Sequence, residues 1–302
     1  MTKYTKLVLS IALAVVMVLG MAGTAFAATG SVDDPYAPNK GTGVIGETPV
    51  INYVPTPTTV TVKNLNTVDH VAYVVGKLEN RFDPKGNVTR AEAATMYFRL
   101  LQDDFRAKYW DNASSYSDVA ATAWYNVAVS TLENAGVIKD TVAGGAFRPN
   151  DPITRAELAV MAAQFAQVTG TIPAATFQDV PANHWAAKEI AIVQFAGWIE
   201  GFEGKYRPED NLTRAECVTI INRMLKRGAE AENMLDGMVT FVDNTYGVWY
   251  YEAIQEAANS HTYTRTNVTL TGEKFLGEKW TAIEEAPNWS ALERAWAEAG
   301  NQ

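Results

Sequence analysis

Hydrophobic residues recur along the chain at helical spacing in three places and in one register. Counted from Arg90, Arg155 and Arg214, offsets of three, six, seven and ten carry Ala93, Met96, Tyr97 and Leu100; Leu158, Met161, Ala162 and Phe165; and Cys217, Ile220, Ile221 and Met224. That spacing is one face of an α-helix, so three equivalent helices are predicted, each with an apolar stripe to bury. Each begins with the same tetrapeptide, Thr-Arg-Ala-Glu, at 89–92, 154–157 and 213–216, with the arginines 65 and 59 residues apart. Each also follows an aromatic-X-Pro turn: Phe82-Asp83-Pro84, Phe147-Arg148-Pro149 and Tyr206-Arg207-Pro208. A pattern repeated in this way is one supersecondary unit used three times.

A second element recurs out of step with the first. Tyr116-Ser117-Asp118-Val119, Phe177-Gln178-Asp179-Val180 and Phe241-Val242-Asp243-Asn244 each place a tryptophan six residues after the aspartate, at Trp124, Trp185 and Trp249. A short amphipathic helix is predicted after each tryptophan, and the first two end at Gly136 and Gly197, which suit a helix C-terminus. The first Thr-Arg-Ala-Glu helix has no Asp-Trp half before it, and the last Asp-Trp half has no Thr-Arg-Ala-Glu helix after it. The simplest account docks the carboxy-terminal half beside the first helix. The predicted fold is therefore mainly α: three helical repeats in a pseudo-threefold bundle, closed by a C-terminal half-repeat. The boundaries that follow are 1–27 for a signal peptide, 28–63 for an extended leader, and 64–113, 114–175 and 176–239 for the repeats. Residues 240–302 hold the half-repeat and tail, with a final helix from Ser290 to Ala299.

The first 27 residues read as a secretory signal: Lys3 and Lys6, an apolar run from Leu7 to Met21, then Ala25-Phe26-Ala27. The run is too short for a spanning helix, so a secreted chain with no membrane contact after cleavage is expected. The formal charge of −9 becomes −11 without the two lysines, which argues against nucleic acid as a partner. Pro, Gly and Thr fill the leader, in which Val60 and Val62 alternate with Thr59 and Thr61 as a short edge strand. Cys217 is alone, so stability comes from packing rather than disulfides, and its place on the apolar helix face makes it a small core residue. His70, His184 and His261 are scattered without ligand spacing, and no metal or other cofactor is expected.

Within the tetrapeptide, Thr at the N-cap and Glu three residues on form a capping box. Arginine is not needed for that box and is disfavoured there by the helix dipole, so it calls for an anion. Two readings stand for Arg90, Arg155 and Arg214: a carboxylate ligand bound with the help of unpaired amides at the helix end, or an ion pair with a neighbouring repeat. Asp118, Asp179 and Asp243 are either that ion-pair partner or acceptors for a ligand's hydroxyls and amides. Trp124, Trp185 and Trp249 are either core or platforms for a sugar face.

Together these motifs, over about residues 65–260, resemble the S-layer homology (SLH) domain. The resemblance implies a non-catalytic, non-covalent anchor of an exported protein in the cell wall or S-layer. It also implies a ligand, secondary cell-wall polysaccharide with a pyruvylated sugar whose carboxylate meets the arginine. Grooves would lie between repeats, one at Arg90, one at Arg155 and one at Arg214, with an aspartate and a tryptophan on the facing side. The glycine usual after the apolar pair is kept as Gly76 and Gly201. The second repeat instead reads Val137-Ile138-Lys139-Asp140 with a longer loop, and Asn244 replaces the valine after the third aspartate. Two rivals are a display protein whose leader or tail binds a cell-surface partner, and a glycan hydrolase; for the latter the repeats leave no room.

Overall fold

Three helices start at the repeated tetrapeptides, and all three starts are capped as the sequence dictates. In the computed structural model, which describes residues 57–138 and 145–299, these are α1 (Arg90–Leu100), α4 (Arg155–Ala163) and α6 (Arg214–Leu225). The expected signal peptide, the leader up to residue 56, and residues 139–144 of the second-repeat loop lie outside the described residues. Thr89, Thr154 and Thr213 each accept from the backbone N–H of Glu92, Glu157 and Glu216, whose carboxylates accept in return from the threonine N–H. Each box contributes about 1 kcal/mol and fixes where its helix begins.

The Asp-Trp halves supply α3 (Asn126–Asn134), α5 (Ala187–Phe195) and α7 (Tyr251–Ala258). Each packs on a tetrapeptide helix: α3 on α1, α5 on α4, α7 on α6. Gly136 and Gly197 follow α3 and α5 with φ of +69° and +74°, the left-handed geometry that ends a helix without a Cβ clash. The apolar stripes meet inside, where Tyr97 stacks on Phe165 at 5.2 Å and its hydroxyl donates to Met224 Sδ. Cys217 is buried beside Met96, and burial pushes its thiol up to about 12, so it is packing rather than a reactive group.

The mainly α expectation is overturned by two antiparallel two-stranded sheets. In one, β1 (Thr59–Val62) pairs with β2 (Ala166–Thr169), Val60 opposite Val168. In the other, β3 (His261–Thr269) and β4 (Leu276–Ile283) make a hairpin in a region read only as tail. Two further α-helices, α2 (Asp103–Tyr109) and α8 (Trp289–Ala299), and two single 3-10 turns, Leu78–Asn80 and Ala231–Asn233, complete the described elements, and Trp289 donates its indole N–H to Ala72 O. The fold is therefore mixed.

Helix packing also does not account for the join between repeats. Where the three pre-helix segments meet, backbone bonds run in a closed cycle: Val88 N–H to Leu212 O, Leu212 N–H to Ile153 O, and Ile153 N–H to Val88 O, each 3.0 Å. The carboxy-terminal half also bonds directly to the first repeat. Asp243 accepts from the amides of Phe82 and Asp83, and Ala257 O accepts from Tyr73 N–H.

Candidate functional site

The arginine after each N-cap points across to the next repeat, and its environment is nearly the same three times. Arg90 Nε donates to Phe147 O, Arg155 Nε to Tyr206 O and Arg214 Nε to Phe82 O, at 2.7–2.9 Å. The guanidinium lies over the ring of that same aromatic residue, 4.8–4.9 Å from its centre. Its Nη1 reaches the capping-box glutamate of the next repeat: Arg90 to Glu157 at 2.7 Å, Arg155 to Glu216 at 3.2 Å, Arg214 to Glu92 at 2.7 Å. These three pairs also close a cycle. Each glutamate thus caps its own helix with one oxygen and holds a neighbour's arginine with the other.

Between the two readings of the arginine, the ion pair is present and its partner is the glutamate, not Asp118, Asp179 or Asp243. The helix-end amides expected to help bind an anion are also engaged. Arg90, Arg155 and Arg214 give their own N–H to Asp151 O, Asp210 O and Gly86 O, and the alanines that follow give theirs to Pro149 O, Pro208 O and Pro84 O. With the third amide on the threonine hydroxyl, the orphan donors of the first turn are satisfied within the ring. What remains for a ligand at these helix ends is unused guanidinium N–H. The arginines are only 3%, 7% and 3% exposed.

The aspartates hold the aromatic-X-Pro turns. Asp118 accepts from Phe147 and Arg148 N–H, Asp179 from Tyr206 and Arg207, and Asp243 from Phe82 and Asp83, all at 2.7–2.9 Å. The middle residue of each turn sits at positive φ: 61° at Asp83, 59° at Arg148 and 58° at Arg207. A non-glycine residue there costs about 1–2 kcal/mol, which the two charge-assisted bonds offset. For Asp179, burial raises the carboxyl pKa but the amides of Tyr206 and Arg207 outweigh it, leaving the group below its usual range. The turn in turn places the carbonyl and the ring on which the arginine rests.

The tryptophans are on the surface: Trp124 is 61% exposed, Trp185 51% and Trp249 65%. A core role is thereby excluded. A groove of about 750 Å³ brings Trp249 together with Arg155, Gly201, Lys205, Glu216 and Arg223. A smaller one of about 190 Å³ brings Trp124 together with Arg214, Gly76, Lys77 and Arg99. Trp185 donates its indole N–H to Glu209 beside His184. Both kept glycines are needed sterically, since a Cβ at Gly76 would stand 2.5 Å from Phe241 Cε1 and one at Gly201 2.5 Å from Phe177 Cε1. Asn244, the departure from the valine pattern, is buried like Val119 and Val180 and donates to Tyr251 O and Gln255 Oε1, so it changes the interior and not the groove.

The larger groove also has a wall that the repeat pattern gave no sign of. Leu270, Thr271, Gly272, Glu273 and Phe275, between β3 and β4, line it, and Glu273 pairs with Arg223 at 2.8 Å. Thr262, Thr264 and Thr266 alternate along β3, a period-two signal that was available in the sequence.

The family model for the S-layer homology domain matches residues 72–94, 115–159 and 176–217, which carry the three tetrapeptides and turns together with Asp118 and Asp179. The chain carries three S-layer homology segments. Among its relatives is a cellulosome-anchoring protein of Acetivibrio thermocellus, 30% identical over 220 residues, or 70% of this chain and 47% of that protein. Another is the S-layer protein sap of Bacillus anthracis, 31% identical over 54% of this chain and 21% of that protein. A third is an amylopullulanase of Thermoanaerobacterium thermosulfurigenes, 32% identical over 51% of this chain but only 8% of that enzyme. The chain thus spans less than half the length of each of these relatives. The SLH segments and these relatives place it at the cell wall or S-layer surface and support an anchoring role there. No helix among the described residues is long and apolar enough to cross a membrane.

Proposed function

We propose that this SLH chain is a non-catalytic anchor that binds an acidic cell-wall polysaccharide in the grooves between repeats. The observation that carries the reading is the groove in which exposed Trp249 and the edge of buried Arg155 line the same space. A pyruvylated sugar suits it: the ketal carboxylate takes guanidinium N–H left over by Tyr206 O, Glu216 and Glu200 O, and the apolar sugar face lies on the indole. Lys205 and Arg207 add positive charge on the same side. The pairing of Trp124 with Arg214 repeats this arrangement on a smaller scale, and the same step round the ring assigns Trp185 to Arg90. In this reading Asp118, Asp179 and Asp243 contribute by holding the turns rather than by touching the sugar.

The test is retention on purified cell wall before and after chemical removal of pyruvate. Trp249→Ala serves as the groove variant, because an indole this exposed can be removed without unfolding the chain. Loss of retention on depyruvylated wall and with Trp249→Ala is the expected result. Undiminished retention on depyruvylated wall would defeat the pyruvylated ligand, and equal retention by wild type and Trp249→Ala would defeat the groove.

A further inference from the structure

Two histidines that lie far apart in the sequence meet in the interior with two glutamates. His70 lies in the first repeat ahead of its tetrapeptide helix, Glu256 is on α7, His261 opens β3 and Glu278 is on β4; all four are buried. One ligand atom from each comes within 4.8 Å of all the others. His70 Nδ1 is 3.0 Å from His261 Nε2, 3.0 Å from Glu256 Oε1 and 3.3 Å from Glu278 Oε2, and His261 Nε2 is 3.4 Å from Glu256 Oε1. Four N/O ligands about 2.1 Å from a tetrahedral ion stand roughly 3.4 Å apart; these four separations, 3.0–3.4 Å, come close to that spacing, within a cluster that spans 4.8 Å.

The other atom of three of these groups is held from outside. His261 Nδ1 is 3.0 Å from Asn259 O, which fixes its proton there and turns the lone pair of Nε2 inward. Trp280 Nε1 donates to Glu256 Oε2, and Arg265 pairs with Glu278 Oε1 at 2.6 Å, so Glu256 Oε1 and Glu278 Oε2 are the oxygens facing the centre. Tyr263 stacks on the His70 ring and Trp280 on the His261 ring, each at 4.0 Å, which locks both imidazoles. His70 Nδ1 faces three acceptor atoms at once, and a single N–H serves one of them. A cation at the centre serves all four groups.

We propose that His70, Glu256, His261 and Glu278 form a structural site for one divalent transition metal of the zinc class. The donor set is nitrogen and carboxylate oxygen, three of the four outer atoms have the supporting partners that orient metal ligands, and four protein ligands leave no open position for catalysis. The ion would tie the start of the fold, the last Asp-Trp helix and the β3–β4 hairpin into one unit, at the place where backbone bonding already joins His261 N–H to His70 O. The proposal is independent of the groove reading, since it concerns a buried cluster that does not line the groove.

The test uses the full chain without a histidine tag. After loading with ZnCl2 and gel filtration, elemental analysis is expected to give roughly one zinc per chain, and CoCl2 to give the intense visible bands of tetrahedral cobalt. The melting temperature is expected to fall when the loaded protein is treated with EDTA and to return with ZnCl2. His261→Gln is expected to lose the zinc, and Trp280→Phe, which removes the donor to Glu256 and shrinks the ring stacked on His261, to weaken it by roughly tenfold or more. Because His261→Gln also removes a buried ring stacked on Trp280, the zinc content, cobalt spectrum and EDTA response of the wild type decide the matter. No bound zinc, no cobalt bands and a melting temperature indifferent to EDTA would overturn the site, leaving a proton-sharing polar cluster. Retention of CaCl2 but not ZnCl2 would overturn the metal class.

Discussion

The arginine ring and the histidine cluster both bury charge, and they do so by opposite means. In the ring, each of three guanidiniums has its own glutamate, carbonyl and aromatic ring, so every charge is matched within the fold. In the cluster, four ligand atoms crowd together while the outer atoms take the available partners, so the centre itself lacks a positive group. A repeated motif can distribute its charges one to one because every copy meets a neighbour of known chemistry. The cluster is assembled from unrelated segments, and that is where a bound ion has something to add.

The largest expected effect comes from breaking one link of the ring. Arg214→Met leaves Glu92 without its cation and Phe82 O without its donor, and should cost about 3 kcal/mol in denaturant unfolding. The double variant Arg214→Met with Glu92→Gln should recover part of that loss. If the single substitution costs less than the double, the ring is not held by matched pairs and the contrast with the cluster fails.

Removing a turn holder should cost less. Asp179→Ala abandons the amides of Tyr206 and Arg207 and the positive φ at Arg207, a loss of about 2 kcal/mol by chemical denaturation. Weakened wall binding beyond that expected from unfolding would show that the turn also sets the groove. Trp249→Ala should do the reverse. Its melting temperature should match wild type, while wall affinity drops roughly tenfold, about 1.4 kcal/mol. A lowered melting temperature there would mean that the exposed indole supports the fold.

The smallest effect is on acid stability. The carboxyl of Asp179 titrates below its ordinary value in the folded chain, so its contribution is fully present above about pH 4 and is lost as pH falls through the lower, folded value. The gap in melting temperature between wild type and Asp179→Asn should therefore be largest near neutrality and shrink below about pH 4. A gap that widens on acidification would contradict the sign.

Much of the site could be read from residue order because the code there is local. A threonine three residues before a glutamate makes a capping box wherever a helix starts, and an apolar stripe at helical spacing finds the core; Thr154, Glu157 and Leu158 needed no neighbour to be assigned. An arginine in that context announced a need for an anion. Its partner depends on which segment lies opposite, and only the assembled ring made it Glu157, Glu216 or Glu92. The same holds for Trp124, Trp185 and Trp249, whose place at the start of an amphipathic helix fits core or surface equally well until packing decides.

The tail shows the other limit. The alternating threonines of β3 were a visible strand signal, but β4 and the wall that the hairpin gives the groove depend on pairing partners and a turn, which periodicity does not specify. His70 and His261 are 191 residues apart, and no spacing rule joins them. Sequence alone determined the repeats, their caps and the residues that recur, because those are set by short-range geometry. Tertiary structure alone decided which charge meets which, which indoles face solvent and which four ligands converge, because those are set by contacts between segments remote along the chain.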